Sequence, residues 1–188
     1  MNPYKIYIFL FCIIFSNSLL AQSYEFKNFL ITPDAVGPIK KGMTVKEVMD
    51  FLPKNQIKKV IGYGEFGEPE YDDFEIYDGL GNHLLTITPY GKADLTRKIN
   101  RVLILDDRFR TGSNIGLGSN YKDIKKAYPN LNASPDMDVV VLALDELNAW
   151  ISINKKLLPS DWWDNENKQV LLNKIPLDAI TNIFVIWW

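Results

Sequence analysis

One histidine and several adjacent pairs of carboxylates are the residues of this chain that chemistry could most readily use. His83 is the sole histidine, so any imidazole acid/base, catalytic triad or zinc site would have to include it. It follows the turn-forming run Asp78-Gly79-Leu80-Gly81-Asn82, at the start of an apolar strand pattern, and reads as an ordinary surface residue. Asp161-Trp162-Trp163-Asp164-Asn165-Glu166-Asn167 is the densest group of oxygen ligands. A calcium loop alternates its ligands and turns on a glycine, and this run does neither, so it reads as a solvated loop. Asp72-Asp73 and Asp106-Asp107 pair carboxylates, but neighbours in extended chain point to opposite faces and make poor acid/base couples. Gly112-Ser113-Asn114-Ile115-Gly116-Leu117-Gly118 precedes a helical pattern as a phosphate cradle would, yet reads better as a structural turn. Asn132-Ala133-Ser134 is a glycosylation sequon of a kind that chance supplies often. The expectation is no catalytic residue, no metal site and no cofactor.

The tryptophans carry the functional signal instead. Trp150 alternates with Ile151 and Ile153, so it shares a strand face with Ser152 and Asn154 while the isoleucines enter the core. Trp162 and Trp163 stand in an acidic, otherwise polar loop, and Trp187-Trp188 follow the last strand pattern. Exposed aromatics mark recognition surfaces, since tryptophan is enriched at binding hot spots. Trp150, Ser152, Asn154, Trp162, Trp163 and Trp187 are therefore the candidate binding surface. For Trp162, Trp163 and Trp187 the alternative is that they cap a core.

Two helices must position these strands. Ile39-Lys40-Lys41-Gly42-Met43-Thr44-Val45-Lys46-Glu47-Val48-Met49-Asp50-Phe51-Leu52-Pro53 aligns without a gap on Ile115-Gly116-Leu117-Gly118-Ser119-Asn120-Tyr121-Lys122-Asp123-Ile124-Lys125-Lys126-Ala127-Tyr128-Pro129, 76 residues on. Thr44 and Asn120 are N-cap residues, and Thr44 with Glu47 makes a capping box. Val45, Val48 and Leu52, like Tyr121, Ile124 and Tyr128, form an apolar stripe at helical spacing. Pro53 and Pro129 stop each helix. Three strand patterns follow each helix: 74–77, 84–88 and 101–105 after the first, and 139–144, 150–154 and 182–186 after the second. Residues 54–70 read as a loop, and residues 24–32 as a further strand. The expected fold class is thus α+β: two tandem helix-then-three-stranded-meander repeats share an antiparallel sheet, with the helices on one face. Module 1 spans 24–110 and module 2 spans 111–188, in one compact domain.

The run Gly37-Pro38-Ile39-Lys40-Lys41-Gly42-Met43-Thr44-Val45-Lys46-Glu47-Val48 resembles the first turns of the β-lactamase inhibitor protein and of the small outer-membrane assembly lipoproteins. Their units also start Gly-Met-Thr and run a helix into a small sheet. The chain departs from the first family in having no structural disulfide and from the second in having no lipid-bearing cysteine, so no partner and no binding residue carries over. What the resemblance implies is an envelope or secreted protein that binds something.

Export is also the reading of the N-terminus. Lys5 precedes an apolar run from Ile6 to Phe15, which gives way to Ser16-Asn17-Ser18 and then Ala21-Gln22-Ser23. That is the order of a secretory signal over residues 1–22, with cleavage after Ala21 or Ser23. The run is too short for a membrane span. Cys12, the only cysteine, would leave with it, so no disulfide could form in the remainder. Without Lys5 the balance is 20 basic to 23 acidic residues, which speaks against nucleic acid and anionic membrane as partners. The function expected is an exported protein-binding module, inhibitor-like or an envelope accessory factor, secreted or periplasmic, with another protein as its partner. The alternatives are a carrier for a small apolar ligand and a carboxylate-only hydrolase of envelope material.

Overall fold

The computed structural model describes residues 23–63, 69–91 and 95–188. The expected signal segment, with Cys12, lies outside the described residues, as do residues 64–67 of the glycine-rich stretch. In chain order the elements are β1 (Leu30–Thr32), β2 (Ala35–Val36), β3 (Ile39–Lys40), α1 (Val45–Phe51), β4 (Ile57–Tyr63), β5 (Pro69–Tyr77), β6 (His83–Pro89) and β7 (Ile99–Ile104). There follow β8 (Arg110–Thr111), α2 (Tyr121–Ala127), β9 (Asn132–Asp136), β10 (Val139–Leu144), β11 (Ala149–Asn154), β12 (Trp163–Asp164), β13 (Gln169–Val170) and β14 (Thr181–Trp187).

The expected α+β repeat of two three-stranded meanders is not what the chain forms. The fold is mostly β, with 43% of the described residues in strands and the two described α-helices only seven residues long. One antiparallel sheet of eight strands dominates, in the order β4-β5-β6-β7-β14-β11-β10-β9. A four-stranded sheet, β3-β2-β1-β8, and the hairpin β12-β13 flank it. Two of the eight strands are ones the sequence hid. In β4, lysines at 58 and 59 interrupt the apolar alternation, and β9 is Asn-Ala-Ser-Pro-Asp. Both are edge strands, which need no apolar outer side and tolerate lysine and proline. β14 is the antiparallel neighbour of β11 and continues the run β9-β10-β11. It pairs with β11 on one side and β7 on the other, and so lies in the middle of the sheet. The N-terminal strand shrinks to Leu30–Thr32 and joins the small sheet, parallel to β8.

The core lies on one face of the large sheet. Ile76, Ile87, Val102, Ile104, Ile151 and Phe184 are buried there together with Val45 and Val48 of α1 and Tyr121 and Ile124 of α2. Each helix is short because a proline follows it: Leu52, before Pro53, already has extended backbone. Gly42 and Gly118 take the left-handed region at φ +87° and +73°, which lets the chain turn into each N-cap. The Thr44 hydroxyl accepts from the Glu47 backbone N–H, and the Glu47 carboxylate accepts from the Thr44 N–H at 2.7 Å. The Asn120 side chain accepts from the Asp123 N–H at 2.9 Å, and the next free N–H groups of α2, on Tyr121 and Lys122, donate to the carbonyls of Ala179 and Leu177. Thr44→Ala and Asn120→Ala should each lower stability by about 0.5–2 kcal/mol. Urea unfolding measures this, and a cost of zero at either position would mean that its cap bond does not hold the helix.

Gln56 fixes the start of the described chain. Fully buried, it accepts from the Tyr24 backbone N–H and donates to the Tyr24 carbonyl at 2.9 Å and the Tyr77 carbonyl at 3.0 Å. A buried amide so satisfied ties the segment before β1 to the end of β5.

Candidate functional site

The face of the large sheet away from the helices carries the candidate site. Strand register runs one row of residues across it: Ala143, Trp150, Val185, Leu103, Thr86, Glu75 and Lys58 are successive cross-strand partners. A neighbouring row places Trp187 opposite Arg101 and Arg101 opposite Thr88. Side chains link these rows into one array. The Thr88 hydroxyl donates to Asp73, and Arg101 Nε donates to Thr88 Oγ1 at 3.1 Å. The Arg101 guanidinium also pairs with the Asp73 carboxylate at 3.4 Å and lies 5.8 Å from the centre of the Trp187 ring. Trp187 in turn stacks on Trp150, with ring centroids 6.5 Å apart and planes 20° from parallel. Trp150, Trp187, Leu103 and Ile183 are all half-buried, while Val185 beneath them is 4% exposed.

At the β5–β6 end the face is polar. Tyr77 Oη donates to Glu75 Oε2 at 2.6 Å, and the His83 ring stacks on Tyr77 at 4.9 Å. His83 is thus half-buried rather than the free surface residue its position in the sequence implied. Its Nε2 is 3.1 Å from both the Leu85 carbonyl and Thr86 Oγ1. A carbonyl only accepts, so Nε2 carries the proton that bonds it. The Tyr77 hydrogen bond, opposed by burial and assisted by Lys58, holds the Glu75 carboxyl below its ordinary value, and the same bond together with burial raises the Tyr77 phenol. A glycoside hydrolase needs one carboxyl raised to act as an acid. Glu75 is moved the other way.

The expected binding set divides between two places. Trp150 and Trp187 come together on the open face. Ser152 is fully buried between Val141 and Ile183, and its hydroxyl donates to Asn182 Oδ1 at 2.8 Å, so as a surface contact it is corrected to a structural bond. Asn154 caps the helical turn at 155–157 by accepting from the Lys156 N–H at 2.9 Å. Trp162 and Trp163 stand apart from this face: both pack against the core from the β12–β13 hairpin, tilted against each other at 5.8 Å. Asp164 is taken up by the hairpin turn, accepting from the N–H groups of Glu166 and Asn167. Sequence reasoning missed Arg101 and Leu103 and set Asp73 aside as half of a poor acid/base couple. Nothing local ties them to the tryptophans, because they join them only through the register of the strands.

Asp72 and Asp73 face opposite sides of β5, toward Lys59 and Arg101 respectively. Beside Trp187, a hollow of about 230 Å³ is lined by Thr88, Tyr90, Asn100 and Arg101 among others. It falls below the roughly 300–1,000 Å³ of small-molecule pockets. A larger hollow of about 520 Å³ lies by Ser113, Asn114, Asp123 and Lys126, away from the open face and largely polar in its lining. Among the described residues no three His, Asp or Glu side chains converge as a metal site, and no helix is long and apolar enough to cross a membrane.

No protein-family model matches the chain, and no curated protein matches it. Among solved structures it is similar to the crystal structure of the uncharacterised protein yfeY from Escherichia coli, at 15% sequence identity and a TM-score of 0.52. The match covers 84% of this chain and 99% of that one. Likeness at this identity speaks for the fold alone.

Proposed function

We propose that the chain is an exported binding module that engages another protein of the cell envelope through the open face of its large sheet. The observation that carries this reading is the stacked, half-exposed pair Trp150–Trp187, ringed by Leu103 and Ile183. Large aromatics left partly uncovered beside an arginine are the composition of protein-binding hot spots. The charges of the face are already paired within it, Arg101 with Asp73 and Lys58 with Glu75. A partner therefore gains most by covering the aromatic centre and little by adding charge. The signal-like N-terminus and the Gly42-Met43-Thr44 resemblance support the envelope as the setting.

The test compares envelope proteins retained by the immobilised exported chain with those retained by Trp150→Ala and Trp187→Ala. A specific partner should bind the unaltered chain and bind each variant about 30-fold more weakly, equivalent to the loss of a hot spot of about 2 kcal/mol. A partner held equally by all three forms would remove the open face from the reading.

A further inference from the structure

The two edges of the large sheet are unlike each other. The β9 edge is closed to further pairing: it is five residues long, polar, largely exposed, and contains Pro135, which has no N–H to offer. The β4 edge is seven residues long and lacks proline. Among the described residues, β4 pairs with β5 alone, and no other backbone group bonds to it. Its two lysines, though partly exposed, are each paired with a carboxylate of β5. Lys59 turns to Asp72 of β5 at 2.9 Å and Lys58 to Glu75 at 3.4 Å. Ile61, on the same side of the strand as Lys59, is left 53% exposed.

We infer that a second copy of this chain pairs with β4, antiparallel, about a two-fold axis at Val60, and joins two eight-stranded sheets into one. The strand is complementary to itself in that register. Lys58 falls opposite the partner's Gly62, and Lys59 opposite the partner's Ile61, so no lysine meets a lysine. The aliphatic stem of the partner's Lys59 then covers the exposed Ile61 while its ammonium group stays with Asp72. All seven residues of β4 take part. This inference is independent of the binding face proposed above, since a dimer or monomer could each use that face.

Sedimentation of the exported chain across concentrations up to ~100 µM, with hydrogen exchange of the Lys58–Gly62 amides, tests it. The chain should sediment as a dimer with slow exchange along β4. Ile61→Lys keeps the fold, because Asp72 lies opposite residue 61 within the same chain. In the dimer it sets lysine against the partner's Lys59, so the variant should be monomeric with fast exchange along β4. Adding Lys59→Glu to Ile61→Lys should restore the dimer. A monomeric parent chain, an Ile61→Lys variant that stays dimeric, fast exchange along β4 in a parent dimer, or a double variant that stays monomeric would each overturn the inference. Protection of β4 only when an unrelated extended peptide is added would do the same.

Discussion

Ile151→Ala should lower the unfolding free energy by about 2–5 kcal/mol, the range for removing a fully enclosed aliphatic side chain and leaving a cavity. Ile151 has no exposed surface and sits in register between Leu142 and Phe184, both themselves buried. Trp150→Ala, one residue away, should cost less, about 0.5–1.5 kcal/mol, because what it loses is a stack on Trp187 rather than a place in the core. The contrast tests the assignment of faces, which fixes where any partner can dock. Urea titration of both variants decides it: a Trp150→Ala cost exceeding that of Ile151→Ala would show that the tryptophan is the structural residue of the two.

Asp78→Asn should destabilise the fold by about 2 kcal/mol at neutral pH, an effect that vanishes in strong acid. Asp78 is only 9% exposed, and that burial works against its charge. Outweighing it are four donors: the Asn82 N–H at 2.9 Å, Asn82 Nδ2 and the Leu80 N–H at 3.0 Å, and Arg108 Nη2 at 3.0 Å. The carboxyl is held at about 2, against an ordinary value of 3.8. A carboxyl depressed by folding contributes stability above its unfolded value, and that contribution fades as the pH falls through the folded one. The difference between the two proteins should therefore be full above about pH 4.5, small by about pH 2 and gone below it. Equal stability at pH 7 would mean that the turn at 78–82 holds without its charge.

How much of this was legible beforehand depended on whether the signal was local. Thr44, Asn120, Pro53 and Pro129 announce where each helix starts and stops, because caps and prolines act within one turn of chain. The alternation in 149–154 shows which side of Trp150 is buried for the same reason. Lys58-Lys59 and Asn132-Ala133-Ser134-Pro135 conceal two strands, since an edge strand is defined by its neighbour and not by its own pattern. The stack of Trp150 on Trp187, and the reach of Arg101 and Asp73 toward them, depend on β14 lying between β11 and β7. No residue of β14 encodes that choice. The balance of the fold was misjudged on the same account: the edge strands and the small sheet turned an expected α+β protein into a mostly β one.

The placement of β14 also sets the order in which the molecule can be completed. Residues 181–187 supply the strand that joins β4–β7 to β9–β11, so neither half of the sheet has its inner neighbour until β14 is in place. Contacts that span this much sequence are slow to form, because the entropy of closing the intervening chain is lost before they can offset it. The centre of the sheet thus closes after its two halves, with β14 as the latch between them.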